Sequence, residues 1–258
     1  MSRLTGIGVL VTRPEHQANH LCQLIEAEGG AAVRYPALVI KPRPDRAAVR
    51  AAIGPADRYD LVVFVSANAV RYGADILDQG RDRPVAAIGQ ATALALNAAG
   101  YRVTLMPDEG ADSESLLALP QLAQLSGQRV LIVRGTGGRD LLQEVMSARG
   151  AQVQHAEVYT REAAYPSMER KAEIETLWRQ GGISVYTATS VELLEALVGI
   201  VTPRCRELMH STALVTGSER IAKAAARLGI GSPIVLADSP EDGALIGALV
   251  RWRGHAPS

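Results

Sequence analysis

The sequence predicts an α/β protein made of two similar doubly wound, parallel-sheet domains of the flavodoxin or Rossmann type, joined by a two-stranded connector. Three observations predict it. Strand-like and helix-like segments alternate through most of the 258 residues, the succession that gives parallel sheets covered by helices with right-handed crossovers. The β-branched runs, such as Leu61-Val62-Val63-Phe64-Val65, lack period-two alternation, as strands buried on both faces do. The chain also nearly repeats itself. Gly8-Val9-Leu10-Val11-Thr12-Arg13-Pro14 returns as Arg129-Val130-Leu131-Ile132-Val133-Arg134-Gly135, with Val130 standing 121 residues after Val9. Self-similarity at a long fixed offset marks duplicated modules.

Taken in order, residues 7–12 read as a strand, followed by a helical stretch closed by Gly29-Gly30 and a second strand near 31–35. Pro36 to Pro44 is a proline-rich crossing, extended because proline biases its own and the preceding residue toward β or polyproline geometry. Strands follow near 61–65, 85–88 and 103–106, with a helix over 91–99 ending at Gly100 in a C-cap position and another opening at Ser113-Glu114-Ser115. The repeated unit supplies a strand at 130–134, a helix closed by Gly150 and a strand at 153–158. A return crossing runs from Glu157 to Pro166, and further strands lie near 183–187, 213–216 and 234–237. Ser66-Ala67-Asn68-Ala69-Val70 recurs at the same offset as Thr187-Ala188-Thr189-Ser190-Val191, and Ala87-Ile88-Gly89-Gln90 somewhat later as Val215-Thr216-Gly217-Ser218.

The cyclic order of these pieces implies that the chain leaves one module after its second strand, builds the whole of the other, and returns. The expected domains are therefore 1–37 with 164–258, and 43–158, with 38–42 and 159–163 as a paired connector. Tandem halves, 1–125 and 126–258, are the other partition, and leave the two extended crossings without a purpose.

Composition limits the partners. The 27 basic and 27 acidic residues cancel, so no global field favours nucleic acid or a membrane surface. The 2 cysteines, Cys22 and Cys205, make no disulfide framework, and Met1-Ser2-Arg3-Leu4-Thr5 lacks the apolar core of a signal peptide. No apolar run approaches the roughly 18 residues of a membrane span. A soluble, cytoplasmic, monomeric protein acting on a small molecule is the expectation.

Open sheets of this kind bind ligands beyond the carboxyl ends of their strands. The residues there are Thr12-Arg13-Pro14, Ser66-Ala67-Asn68, Gly89-Gln90-Ala91-Thr92, Arg134-Gly135-Thr136, Thr187-Ala188-Thr189-Ser190 and Gly217-Ser218. Each segment is small, hydroxylic or glycine-containing and precedes a helix, whose free N–H groups and dipole receive anions. Taken singly, each is also an ordinary helix cap; six together suit a ligand with many carboxylates or phosphates. Gly135 and Gly217 read as space for close approach of that ligand, so bulk at either is expected to weaken binding with little change in stability. Arg134-Gly135-Thr136-Gly137-Gly138-Arg139 fails the dinucleotide pattern, because Asp140 stands where the third glycine belongs, and no Gly-Lys-Ser follows. His16 and His20 share a helical face but no third metal ligand is evident. No Ser–His–Asp arrangement can be inferred from His155, His210 and His255.

Five segments carry a family likeness: Val9-Leu10-Val11-Thr12-Arg13-Pro14, Phe64-Val65-Ser66-Ala67-Asn68-Ala69-Val70, Ala87-Ile88-Gly89-Gln90-Ala91-Thr92-Ala93, Val133-Arg134-Gly135 with Gly138-Arg139, and Val158-Tyr159-Thr160-Arg161. Together, in this order and over about residues 7–250, they resemble the uroporphyrinogen-III synthase family. The resemblance implies two α/β domains joined by a two-stranded ladder and a reaction without cofactor. The substrate would be hydroxymethylbilane, a linear tetrapyrrole with eight carboxylates, closed to uroporphyrinogen III with loss of water and inversion of the last ring. Because the bilane closes spontaneously to the unwanted isomer, the task implied is chiefly one of positioning. Tyr159 matches the family's tyrosine in the return crossing, and its phenol would donate to the departing hydroxyl; a phenol is ordinarily protonated at neutral pH. Arg13, Ser66, Asn68, Gly89, Thr92, Arg134, Gly135, Thr187, Thr189, Ser190, Gly217 and Ser218 are the substrate-binding candidates. Gly217-Ser218-Glu219-Arg220 departs from the family's usual turn at the point where many members carry a threonine. The reading from another class is a hinged two-domain binder of a small polyanion, without catalysis. Assaying the product formed from fresh bilane separates the two.

Overall fold

The structure is a computed structural model that describes residues 2–77 and 83–255. The chain opens with β1 (Gly8–Val11), α1 (Glu15–Ala27), β2 (Ala31–Arg34) and β3 (Leu38–Pro42). It continues through α2 (Arg46–Ile53), β4 (Leu61–Phe64), α3 (Ala67–Gly73), β5 (Val85–Ala87), α4 (Gln90–Ala98), α5 (Ser113–Leu117), β6 (Arg129–Gly135) and α6 (Leu141–Ala148). The long β7 (Gln152–Ala163) leads back to α7 (Met168–Arg179), β8 (Val185–Thr187), α8 (Val191–Ile200), α9 (Pro203–Met209), β9 (Ala213–Thr216), α10 (Glu219–Arg227), β10 (Ile234–Leu236) and α11 (Asp242–His255). Two compact units result, Met1–Val39 with Glu162–Ser258, and Ile40–Arg161. Among the described residues no helix is long and apolar enough to cross a membrane.

The uninterrupted apolar strands are explained by cores on both faces of each sheet. In the first unit Val9, Val11, Val185 and Val215 enter one cluster, while Leu10, Tyr186 and Leu214 enter the other. In the second unit Leu61, Val63, Val130 and Ile132 face one way and Val62, Phe64, Leu131 and Val133 the other. Neighbouring residues point to opposite faces of a strand, so both must be apolar. The helices that cover these faces are built to match. In α1, Ala18, Leu21, Cys22 and Ile25 are buried, the i, i+3, i+4, i+7 stripe of an amphipathic helix. Its end is set by Gly29 at φ 79, where the Gly30 N–H returns 3.0 Å to Ile25 O, a Schellman-type closure open to glycine at little cost. α6 ends in the same way at Gly150, φ 92, with the Ala151 N–H 3.1 Å from Met146 O.

The sheets have the orders β10-β9-β8-β1-β2 and β3-β7-β6-β4-β5. Matching β1 with β6, β2 with β7, β8 with β4 and β9 with β5, the four repeated strands lie in the same spatial order in both. The fifth strands differ. Residues 103–106, expected as a strand, make only an isolated bridge between Leu105 and Ala86, at the edge where the first sheet carries β10. The second sheet is completed instead at its other edge by β3. Arg43 N donates to Val158 O at 3.0 Å and Ala164 N to Ala37 O at 2.9 Å, so β3 and β7 run antiparallel as the two crossings of the chain.

This packing can be tested in two ways. A fragment spanning residues 38–163 is expected to fold and melt cooperatively by circular dichroism, and a fragment 1–125, which parts β4 and β5 from β6 and β7, is not; cooperative melting of the latter would contradict the strand orders above. The second test concerns His155 on β7, whose Nε2 has no hydrogen-bond partner among the described residues. Burial, with a contribution from the Arg134 guanidinium, holds its imidazole below the ordinary value. The unfolded chain then binds the proton more readily, so stability is full above about pH 6.5 and falls as pH drops below it. Replacing His155→Gln should narrow the difference in Tm between about pH 7.5 and about pH 5.5.

Candidate functional site

In the second sheet the chain order reverses between β4 and β6, and the carboxyl ends of these neighbours form its switch point. The Val65 N–H donates 3.2 Å to Val133 O, which keeps the two ends side by side. Ser66, fully extended, is the N-cap of α3, and its Oγ accepts the Ala69 N–H at 3.0 Å. Beside it, β7 slips against β6: Arg134 pairs with Glu157, but Gly135 pairs with Tyr159. The extra residue is a β-bulge, which re-aims a side chain. Ala156 and Val158 face one core, and strict alternation would send Tyr159 to the other face. The slip returns it to the side of Val158.

Tyr159 is thereby 2% exposed. Its ring lies 6.0 Å from the Tyr72 ring, centroid to centroid, with the Arg161 guanidinium 5.9 Å from its centre. The phenol oxygen stands 3.2 Å from Ser66 Oγ. Gly135 is what admits the ring, since a Cβ there would sit 2.5 Å from Tyr159 Cε2 and 2.6 Å from Cζ. The Tyr159 carbonyl accepts the Thr136 N–H at 2.8 Å, so backbone pins the residue as well. Three residues proposed from sequence, Ser66, Gly135 and Tyr159, are brought together here, but the space at Gly135 is taken by the tyrosine ring and not by a ligand, which corrects the reading of that glycine.

The other candidates of this unit are placed differently. Arg134 is 7% exposed and is turned onto its own loop, with Nη1 2.9 Å from Asp140 Oδ1, Nη2 2.5 Å from Gly137 O and Nε 3.3 Å from Gly135 O. Its charge organises the turn of residues 135–140. Gly89 precedes α4 without a side-chain cap and is filled by Ala111, whose Cβ would be 2.6 Å from an added Cβ. Thr92 and Asn68 are buried in the first turns of α4 and α3. Sequence reading did not single out Arg43, which donates to Asp45 at 2.7 and 2.6 Å and reaches Glu157 at 3.3 Å and Thr136 Oγ1 at 3.5 Å. Asp45 is a local partner, but Glu157 and Thr136 are distant in sequence, and no local pattern announces that they meet at Arg43.

In the first unit the switch point lies between β1 and β8. Thr12 Oγ1 donates 2.6 Å to Thr187 O, and Thr187 Oγ1 donates 3.4 Å to Leu10 O. Both threonines are fully buried; the Thr187 hydroxyl ties two strands together, which corrects its reading as a ligand contact. Arg13 is ion-paired with Asp242 and donates through Nη2 to Pro240 O at 2.6 Å, so it anchors the start of α11 to the end of β1. The exposed His20 adds its Nδ1 2.7 Å from the same Asp242 carboxylate. Thr189 is half-buried. Ser190 and Ser218 cap α8 and α10, accepting the N–H of Leu193 at 3.1 Å and of Arg220 at 3.2 Å. Gly217 does not make room for a ligand: a Cβ there would be 2.3 Å from the carbonyl carbon of Ser239 and 2.4 Å from the nitrogen of Pro240.

What the second unit's strand ends offer chemically is a buried phenol in hydrogen-bond reach of a half-buried serine hydroxyl, both held by backbone. Serine caps use an oxygen lone pair and leave the O–H proton free to donate. α1, α4 and α6 begin with no side-chain cap, which leaves their first N–H groups to other acceptors.

A family model described as uroporphyrinogen-III synthase HemD matches residues 19–247. The uroporphyrinogen-III synthase of Escherichia coli K12 is 35% identical over 254 residues, covering 94% of this chain and 100% of that one. That of Salmonella typhimurium LT2 is 34% identical, covering 94% and 100%. Among solved structures, uroporphyrinogen-III synthetase from Helicobacter pylori 26695 superposes with a TM-score of 0.64 at 13% identity, covering 95% of this chain and 99% of that one. A mutant uroporphyrinogen III synthase from the extreme thermophile Thermus thermophilus gives 0.61 at 19%, covering 95% and 98%. At such identities the two structures speak for the fold, which is the two-domain α/β arrangement described above.

The contact at Gly217 generates a prediction that reverses the expectation from sequence. Gly217→Ala drives a methyl into backbone that has no rotamer to yield, and overpacking of this kind costs about 1–3 kcal/mol. Urea unfolding should register that loss, and an unchanged midpoint would show that the loop of Ser239 and Pro240 moves aside freely.

Proposed function

The chain belongs to the uroporphyrinogen-III synthase family, and we propose that within it Tyr159 supplies the proton on which the reaction turns. The enzyme cyclises hydroxymethylbilane to uroporphyrinogen III, with loss of water and inversion of the last pyrrole ring, in tetrapyrrole biosynthesis. The bilane's terminal C–O bond breaks, the electron pair leaving with the oxygen and the adjacent pyrrole supplying electrons to give an azafulvene. The phenol proton passes to the departing oxygen, so that water leaves. The substituted carbon of the last ring attacks to form a spiro intermediate, which fragments and recloses at the ring's free carbon. The proton lost from that carbon restores the phenol, and atoms and charge balance over the cycle.

The observation that supports Tyr159 is the bulge on β7, which turns this side chain toward Ser66 at a sheet switch point. A strand slips out of register at a cost in ladder hydrogen bonds, and bulges cluster near active sites for the side-chain direction they confer. In this reading the strand-end turns of each unit, taken by itself, are the ones that receive carboxylates: those before α3 and α4 in the second unit, and those before α1, α8 and α10, with Thr189, Ser190 and Ser218, in the first. Arg13 and Arg134, committed to Asp242 and to the turn of residues 135–140, shape those turns and add positive potential. The enzyme works as a monomer in the cytoplasm, which sedimentation and fractionation check.

Tyr159→Phe keeps the ring on Gly135 and removes one oxygen. Type III product formed from fresh bilane, separated from type I by chromatography, should fall about 10²-fold or more, the scale of a positioned general acid. Turnover within about 3-fold of the parent protein would remove Tyr159 from that role.

A further inference from the structure

We propose that the Tyr159 proton reaches the substrate through Ser66, whose hydroxyl is the group that touches the departing oxygen while the phenol stands behind it. The inference deepens the assignment of Tyr159 and rests on it. It begins with burial: the tyrosine is 2% exposed, whereas Ser66 is half-buried. The phenol is therefore poorly placed to meet a ligand directly, and the hydroxyl next to it is better placed.

The hydrogen-bond inventory of Ser66 gives the direction. A serine hydroxyl has two acceptor lone pairs and one proton. The Ala69 N–H, at 3.0 Å, takes one lone pair. The Tyr159 hydroxyl, at 3.2 Å, takes the second, and the serine proton remains for a third partner. The reverse arrangement, with serine donating to the phenol, leaves the phenol proton without an acceptor, because Ser66 is the one hydrogen-bond partner of that hydroxyl among the described residues. As the C–O bond breaks, Ser66 Oγ–H passes its proton to the leaving oxygen and Oγ receives the proton of Tyr159. A phenolate and a water result, and the serine is regenerated. The proton released at ring closure returns by the same two oxygens.

Geometry makes the relay a built feature. The cap bond to Ala69 fixes Oγ, the bulge fixes the phenol's direction, and the absence of a Cβ at Gly135 lets the ring settle where the two oxygens meet.

The test is a double-mutant cycle on the full chain, reading kcat and KM for type III product. Ser66→Ala is expected to lower kcat about as far as Tyr159→Phe, about 10²-fold, with KM within about 3-fold, and the double variant should be no slower than the worse single, as groups acting in series behave. Ser66→Thr, which keeps a hydroxyl, should recover most of the rate. Ser66→Asn, which caps α3 equally well but carries no hydroxyl, should stay slow with an unchanged Tm, separating proton transfer from loss of the cap. If Ser66→Ala turns over within about 3-fold of the parent while Tyr159→Phe is slow, the phenol acts directly and the relay is overturned with the Tyr159 assignment intact. Losses that multiply in the double variant overturn it too. If Tyr159→Phe itself is fast, both readings fall together.

Discussion

Burying both faces of a parallel sheet dictates where this chain can keep its chemistry. Every residue in the middle of β1, β4, β6, β8 and β9 faces one of two cores, and an unpaired polar group there would carry an unrecovered desolvation cost. Two buried threonines near these strands follow the rule, although Thr216 Oγ1 on β9 has no partner among the described residues. Thr12 and Thr187 spend their hydroxyls on neighbouring strand carbonyls. Reactive groups are thus pushed to the strand ends, where helix caps and loop backbone can hold them. Tyr159 obeys the same constraint by an unusual route: its ring stays in the core, and only its oxygen arrives at the strand end.

The duplication shows what is general in this arrangement and what is particular. Four strands keep the same order in both sheets although they occur in different chain order, β1-β2 before β8-β9 in one unit and β4-β5 before β6-β7 in the other. A right-handed crossover on each side of a switch point suits either sequence of events, so the packing tolerates the permutation. The edges are not shared. β10 closes one sheet, whereas Leu105 makes a single bridge at the corresponding edge of the other. β3, which has no counterpart in the first sheet, occupies the opposite edge, and the bulge that aims Tyr159 lies on β7 beside it.

Much of the fold was legible because it is encoded locally. Apolar runs, glycine closures at Gly29 and Gly150 and the proline-rich crossings each announce themselves within a few residues. The strand at 103–106 misled because its composition fits a strand, while its hydrogen bonds to Val85 and Ala87, some through the Thr104 hydroxyl, make one bridge and no ladder, which no local pattern reports. The site was less legible. A side chain's face depends on ladder register, and the slip between Arg134 and Gly135 is a relation between two strands. Gly217 looked like ligand space for the same reason, its neighbours being Ser239 and Pro240 in a loop that packs against it. Arg13 is ion-paired with Asp242, far along the chain, a relation that its local sequence does not report.

These commitments bear on how isomer selectivity is achieved. A bilane that closes unaided needs to be held in the less favoured geometry more than it needs to be activated, and catalysis of that kind rewards rigid placement. The groups on offer are held by backbone: Ser66 by the α3 cap, Tyr159 by a bulge and by Thr136 N–H, the loop of Arg134 by carbonyls of its own turn. Backbone donors survive most side-chain substitutions, so a family can diverge widely in sequence and keep such a site. Glycine is the exception, since its missing side chain is itself the functional property. At Gly135 that absence accommodates a tyrosine ring, which makes a residue with no chemistry of its own a determinant of where the Tyr159 phenol stands.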